Sequence, residues 1–431
     1  MRTPELIVQQ ADPETGRGRP VRVDALPEPT TAAEAGLMVG CPPAPHLRVS
    51  RRNWMAYPQS LWSFRHMEEL GPAARIDRGS GPVDEFVRGE DTLGLADLTV
   101  EGDSGGNWDL AEFLRRTYTD ALLVAHRGRL VHEWYADGMG PTTRHAMFST
   151  TKTFSGLVAL LAIHDGELAL DDLLVDHVPE LAGTGWEPVT VEQALDMTDG
   201  ISFEEDYGSR DSAIMRYGFA MGFTPMPSRW EGPVGIREAL RTLVERSTPP
   251  GESFLYTSAT TDALAWAVAR ATGRRWSEEV SARIWQPLGA ACDAGVSIDP
   301  TGLEIASGGM FATAPDLLRF GMMLARGGTN GAGEQVLPGA VVSDLVEGGE
   351  PDPDGCGGYA TRAGWSFHRQ CWNQYRSWGS LIPMGVHGQR LFIHPGAELV
   401  VMKFGCHPVT GNVFTDEVHQ RFYEELLSRA G

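Results

Sequence analysis

Two lysines occur in the whole chain, Lys152 and Lys403; arginine supplies every other basic side chain of the Lys and Arg set. Lys152 stands three residues after Ser149, in Met147-Phe148-Ser149-Thr150-Thr151-Lys152-Thr153-Phe154-Ser155-Gly156. On a helix, positions i and i+3 share a face, so Ser149 Oγ and Lys152 Nζ can meet. A serine at the helix start sits where backbone N–H groups point outward and favour developing negative charge. A buried lysine one turn in has a lowered pKa and can act as a base, which arginine cannot. The bland alternative is a surface lysine at a helix start. The second candidate is Tyr256, in Pro249-Pro-Gly-Glu-Ser-Phe-Leu-Tyr-Thr-Ser258, again at a loop-to-helix junction. A tyrosine there can point into a cleft, and a phenolate beside a lysine cation can act as general base. Alone, the residue reads better as a core tyrosine on a capped helix.

Other signals carry less. Gly102-Asp103-Ser104-Gly105-Gly106 spells the GDSGG of trypsin-like proteases and also fits GxSxG. The first reading needs a catalytic His and Asp upstream, the second a buried strand just before the serine. Neither context is present, so the expectation is a Gly-rich loop capping the helix that follows. The twelve histidines form no HExxH or HxH, and no metal site is expected. No glycine-rich phosphate loop follows a strand, so no nucleotide cofactor is expected either.

These residues need elements to hold them. Residues 150–165 read as a helix stopped by Gly166, with the apolar run 157–163 fixing it in a core. Thr190-Val-Glu-Gln193 is a capping box, residues 260–272 read as a helix stopped by Gly273, and Thr313-Ala-Pro-Asp316 opens another. Residues 121–126 and 130–135 read as a hairpin around Arg127-Gly128-Arg129. Residues 386–392 and 398–404 read as a second, around His394-Pro-Gly396, and residues 412–430 as a closing helix. Strands near both ends with helices between suggest an α/β domain assembled from both ends around a helical insertion. Residues 1–45, rich in Pro, Thr, Ala, Glu and Gly without periodicity, are expected to be a mostly disordered tail.

Composition narrows the function. The chain has 431 residues, 42% hydrophobic and 22% charged, which fits a folded protein with ample core. Its formal net charge of −21, with no basic run, argues against nucleic acid and against an anionic membrane surface. The longest apolar run is too short to span a bilayer, and the first twenty residues lack the apolar stretch of a secretory signal. Five scattered cysteines, at 41, 292, 356, 371 and 406, suggest neither a disulfide framework nor a zinc site and favour the cytoplasm.

SxxK at 149–152, YxS at 256–258 and a Gly-bearing strand near Gly385 together resemble the serine β-lactamase and penicillin-binding-protein superfamily. The flanks Thr190–Thr198, Glu205-Asp206-Tyr207, Tyr256–Asp262, Ser307-Gly-Gly309 with Asp316, and Val386-His-Gly-Gln389 are similar to its class C and esterase branch. Within that branch they resemble the nylon-oligomer amidases, the 6-aminohexanoate-dimer hydrolase group, over about residues 50 to 430.

The resemblance implies a two-domain β-lactamase-like α/β (α+β) fold, an antiparallel sheet flanked by helices plus a mostly helical domain, with the site between them. Residues 46–165 and 295–431 would form the α/β domain and 166–294 the helical one. It implies hydrolysis of a small-molecule amide through an acyl-enzyme, without cofactor. Carboxylesterase, β-lactamase and a non-catalytic binding relative are the alternatives, and a homodimer is possible. By position, Ser149 would be the nucleophile, Lys152 its activator and Tyr256 the proton relay. The backbone N–H groups of Ser149 and Val386 would form the oxyanion hole. Tyr207 and Trp372 would close over substrate, with His387 in partial service. The pattern departs in two places. Pro383-Met384-Gly385 stands where the superfamily usually carries Lys-Thr-Gly or His/Trp-x-Gly. Gly218 stands near the place of a carboxylate that pairs with a substrate ammonium, and the loop acids Asp211 and 204–206 are expected to be solvated.

Overall fold

The structure is a computed structural model that describes all residues except 1–5, 13–16, 104, 225, 226 and 228. Its central sheet has five antiparallel strands in the order Met384–Gly385, Gln389–His394, Leu399–Gly405, Thr119–His126 and Arg129–Tyr135. Residues from both ends of the chain therefore share one sheet. The alternation along Thr119–His126 shows why it lies in the middle. Ala121, Leu123 and Ala125 join the core on one face, and Leu122 and Val124 join a second core on the other. Strand side chains alternate faces, so a strand apolar at every position belongs between two layers. Helix Ala314–Ala325 covers the first face through Leu317, Leu318 and Phe320. Helix Val413–Ala430 covers the second through Val418, Phe422 and Leu426.

The hairpin at the edge turns on Arg127 and Gly128 at φ 49° and 73°, the doubly left-handed turn that matches strand twist. A smaller antiparallel sheet, ordered Ala73–Ile76, Ala294–Ser297, Met310–Thr313, Arg144–Ala146, delivers the chain to Ser149. From residue 166 to 293 the described regular elements are helices, the longest being Ser258–Thr272, ended by Gly273 at φ 69°. The capping box at Thr190 forms both bonds: Thr190 Oγ1 accepts from Gln193 N at 3.2 Å, and Gln193 Oε1 accepts from Thr190 N at 3.0 Å.

Three expectations change. Within residues 1–45, strands Ile7–Ala11 and Gly18–Arg22 pair as an antiparallel hairpin instead of a disordered tail. That hairpin is fastened by Tyr57 N donating to Gln9 O at 2.8 Å and Gly18 N to Arg52 O at 2.7 Å. Pairing with the body replaces the periodic apolar pattern that the segment lacks. Second, Val386 opens a tight turn, Val386–Gly388, and the strand expected from 386 starts at Gln389. Third, the Gly102–Gly106 segment links the paired strands Thr99–Glu101 and Asn107–Asp109, while Asp109 caps the next helix, accepting from Glu112 N at 2.8 Å. Ser104 itself lies outside the described residues. No described helix is long and apolar enough to cross a membrane.

Candidate active site

Ser149 lies in a single helical turn, Phe148–Thr150, that runs into helix Thr151–His164. Phe148, just before it, adopts φ 47°, a left-handed conformation costly for a bulky residue. Its ring is held by Trp54, stacked at 5.8 Å, and by Phe64 edge-on at 4.9 Å. Aromatic packing thus fixes the backbone that presents the serine.

Lys152 is 1% exposed. Its Nζ donates to Ser149 Oγ at 3.1 Å, to Ser258 Oγ at 3.0 Å and to the Ser307 carbonyl at 2.7 Å. All three donors of the ammonium are therefore occupied, two by serine hydroxyls. Burial lowers its pKa to about 8, opposed by the charges of Glu205 and Asp262. Asp262 acts from behind: its carboxylate accepts from Ser307 N at 2.9 Å, Ser307 Oγ at 2.8 Å and the Tyr217 hydroxyl at 2.9 Å. Burial pushes Asp262 up to about 6.

The Tyr256 hydroxyl lies beside Ser149, and its ring lies 5.1 Å from Lys152 Nζ. Burial and the nearby Glu205 raise its pKa strongly. It is a neutral phenol at ordinary pH, not the phenolate the sequence suggested, and is fitted to donate and pass on a proton. Trp372, on strand Cys371–Asn373, stacks on Tyr256 at 5.2 Å and carries the Arg362 guanidinium 4.7 Å from its own ring. It lies behind the tyrosine and does not line the cavity at Ser149.

That cavity, about 70 Å³, is lined by Ser149, Tyr207, Ser258, Ser307 and Val386 together with apolar side chains. Val386 reaches it because the strand Met384–Gly385 passes close to the serine turn. A Cβ on Gly385 would lie 2.2 Å from the Met147 carbonyl. Glycine at 385 is thus required by close backbone approach. His387 is elsewhere. It is fully buried, with Nδ1 2.8 Å from the His407 carbonyl and its ring against Phe64 and Phe148. Burial holds it down to about 4, so a neutral imidazole packs beneath the serine turn, outside the lining of the cavity.

Tyr207 joins the set through Glu205. The Tyr207 hydroxyl donates to Glu205 Oε2 at 2.9 Å, while Glu205 Oε1 accepts from Ser258 N at 2.5 Å. One carboxylate therefore anchors the loop tyrosine and the start of helix Ser258–Thr272. Glu205 was expected to be a solvated loop acid; it is half-buried between two parts of the site. Ser258, Ser307 and Asp262 stood in the quoted motifs without a role. Gly218 lines the cavity, leaving no acid there. Among the described residues no group of three or more His, Cys, Asp or Glu is placed to hold a metal ion.

The family model described as Beta-lactamase matches residues 110–406. The 6-aminohexanoate-dimer hydrolase of Paenarthrobacter ureafaciens is 33% identical over 357 residues, 83% of this chain and 88% of that protein. A Bacillus anthracis structure provisionally assigned as a 6-aminohexanoate-dimer hydrolase superposes with a TM-score of 0.79 at 28% identity, covering 89% of this chain and 96% of that one. A family VIII carboxylesterase shares the fold at a TM-score of 0.53 and 17% identity, over 72% of this chain and 92% of that one.

Proposed function

The chain belongs to the Beta-lactamase family of serine hydrolases, and from that premise we propose that it cleaves a linear amide through an acyl-enzyme on Ser149. One observation carries this reading. Lys152 is buried, hydrogen-bonded to Ser149 Oγ at 3.1 Å and lowered to about 8, so roughly a quarter of it is neutral at pH 7.5. A base poised near working pH, touching a nucleophile at a helix start, suits acyl transfer.

In the first half-reaction, Ser149 Oγ bonds to the substrate carbonyl carbon and its proton passes to Lys152 Nζ. The carbonyl oxygen takes the negative charge and is held by the Ser149 and Val386 backbone N–H groups. The C–N bond then breaks as Tyr256 donates its hydroxyl proton to the leaving nitrogen, and Lys152 returns a proton to Tyr256. In the second, water attacks the acyl carbon and gives a proton to the same pair. The C–O bond to Ser149 breaks, Ser149 Oγ recovers a proton, and a carboxylic acid leaves.

The similarity to 6-aminohexanoate-dimer hydrolase makes linear amides of that kind the first substrates to try. The test is hydrolysis of the linear 6-aminohexanoate dimer and of p-nitrophenyl butyrate by wild type and Ser149→Ala. Cleavage by wild type alone supports the reading, and the two rates decide between amidase and esterase. Full activity in Ser149→Ala overturns it.

A further inference from the structure

The cavity at Ser149 does not end there. A larger chamber of about 220 Å³ adjoins it, and Met55, Tyr207, Met215 and Thr224 line both. The inner cavity is walled by Phe148, Ile214, Met215, Met221, Phe223 and Ile305, and among the described residues no Asp, Glu, Lys, Arg or His lines it. It accepts an uncharged chain. The outer chamber has the opposite character. Arg51, Arg52 and Arg210 line it, with Arg17 on the hairpin side, and Asp211 is its one carboxylate among the described lining residues. In a chain of net charge −21, such a concentration of guanidinium groups runs against the overall balance.

Arg51, Arg52 and Arg210 keep donors to spare. Arg51, half-buried, donates to the main-chain carbonyls of Leu70 at 2.9 Å and of Gly222. Arg210 donates to the Gly18 carbonyl at 3.0 Å. None of Arg51, Arg52 and Arg210 forms an ion pair among the described residues. A guanidinium has five N–H donors and suits a carboxylate geometrically. Gly18 and Gln9 of the N-terminal hairpin form part of the same wall, and Gln9 Nε2 donates to the Tyr207 carbonyl at 3.3 Å. The hairpin thus ties the outer chamber to the tyrosine that borders the inner one.

We propose that the outer chamber is a subsite for a substrate carboxylate. The substrate would then be a linear amide or ester whose uncharged chain lies in the inner cavity and whose far end is an anion held by Arg51, Arg52 and Arg210. This rests on the hydrolase reading above and adds the charge of the substrate to it. A chain ending in ammonium meets repulsion in the same place.

The test uses three p-nitrophenyl esters of matched length: the adipate monoester ending in carboxylate, its methyl ester, and the 6-aminohexanoate ester ending in ammonium. Wild type should rank them in that order in kcat/KM, by about three- to tenfold per step, mainly through KM. The ranking should shrink in 0.5 M salt, because rim charges are screened over a few ångströms there. In the Arg52→Gln, Arg210→Gln double variant the ratio of carboxylate to neutral ester should fall toward one. A ratio at or below one in wild type, or one indifferent to salt and to the variant, overturns the proposal. Calorimetry on Ser149→Ala with monomethyl adipate against dimethyl adipate reads the subsite without turnover. Tighter binding of the monoanion supports it, and equal binding overturns it. Failure of wild type to cleave any of the three esters would count against the hydrolase reading, while the calorimetry would still decide the subsite.

Discussion

A lysine with an ordinary pKa near 10.5 would be a poor base at neutral pH; Lys152, lowered to about 8 by burial, is a usable one. Its neutral form takes the serine proton, so kcat/KM should rise with pH as one proton is lost, with the midpoint near 8. Lys152→Arg keeps the charge but cannot supply a neutral base, and should lower kcat/KM by about a thousandfold; general-base contributions run from about 10² to 10⁴. Glu205→Gln gives a signed result. The Glu205 charge favours the ammonium form of Lys152, so its removal should move the rising limb to lower pH. A pH–rate profile that stays in place would show that Glu205 only braces Tyr207 and the Ser258 N–H. The Ser149–Lys152 contact was legible because helix geometry turns a spacing of three residues into a contact. Glu205 was not, because a loop carboxylate facing a lysine more than fifty residues earlier looks in sequence like any solvated acid. His387 misled for the reverse reason: its neighbour Val386 lines the cavity while the imidazole turns into the core.

Turns decide where these elements meet, and turns were read unevenly. Arg127-Gly128 announced its hairpin by glycine. The turn between strands Ser366–His368 and Cys371–Asn373 did not, because Arg369 and Gln370 both adopt left-handed conformations, φ 50° and 65°, without glycine. Tertiary contacts hold them there. Arg369 pairs with Asp196 at 3.1 Å and Asp344 at 2.8 Å, and Gln370 Nε2 donates to the Ala194 carbonyl at 2.8 Å. That turn presses on helix Thr151–His164 at Gly156, where a Cβ would lie 2.3 Å from the Arg369 carbonyl. Alanine in place of a mid-helix glycine normally stabilises by about 1 kcal/mol. Here the sign should invert, with Gly156→Ala costing about 1–3 kcal/mol by overpacking, read as a lower urea midpoint. Gly385→Ala presses on the Met147 carbonyl instead. It should cost activity out of proportion to stability, because the strain falls on the turn that presents Ser149 and on Val386 beside it. Equal losses of melting temperature and kcat/KM would show that close approach at 385 serves packing alone.

At the scale of the whole molecule, the charge pattern and the fold meet in the two lysines. Both are 1% exposed, so lysine contributes almost nothing to the positive charge of the protein surface. Lys403, in the middle of strand Leu399–Gly405, donates to the Thr117 carbonyl at 3.2 Å and the Gly388 carbonyl at 3.5 Å. Burial first, and Arg390 second, lower it to about 7. The consequence for stability follows from proton counting. The unfolded chain holds a proton on each lysine up to about pH 10.4, whereas the folded chain loses them near 7 and 8. Between about pH 7 and 8 the unfolded state therefore binds more protons, and stability rises with pH. Below that window Asp199 and Asp262, raised to about 6 by burial, act the other way, the folded state holding their protons as pH climbs from about 4 to 6. From about pH 8 upward, ionisation of cysteines such as Cys371 and Cys356, which titrate near 8.5 when unfolded and are raised to about 12 in the fold, favours the unfolded chain. Unfolding free energy measured by urea at intervals from pH 7 to 8 should thus climb, by about 1 kcal/mol for the two lysines together. Lys403→Met removes the larger part of that slope while leaving Lys152 and its midpoint near 8 in place. A variant whose stability climbs as steeply as wild type would mean that Lys403 keeps its proton inside the folded sheet.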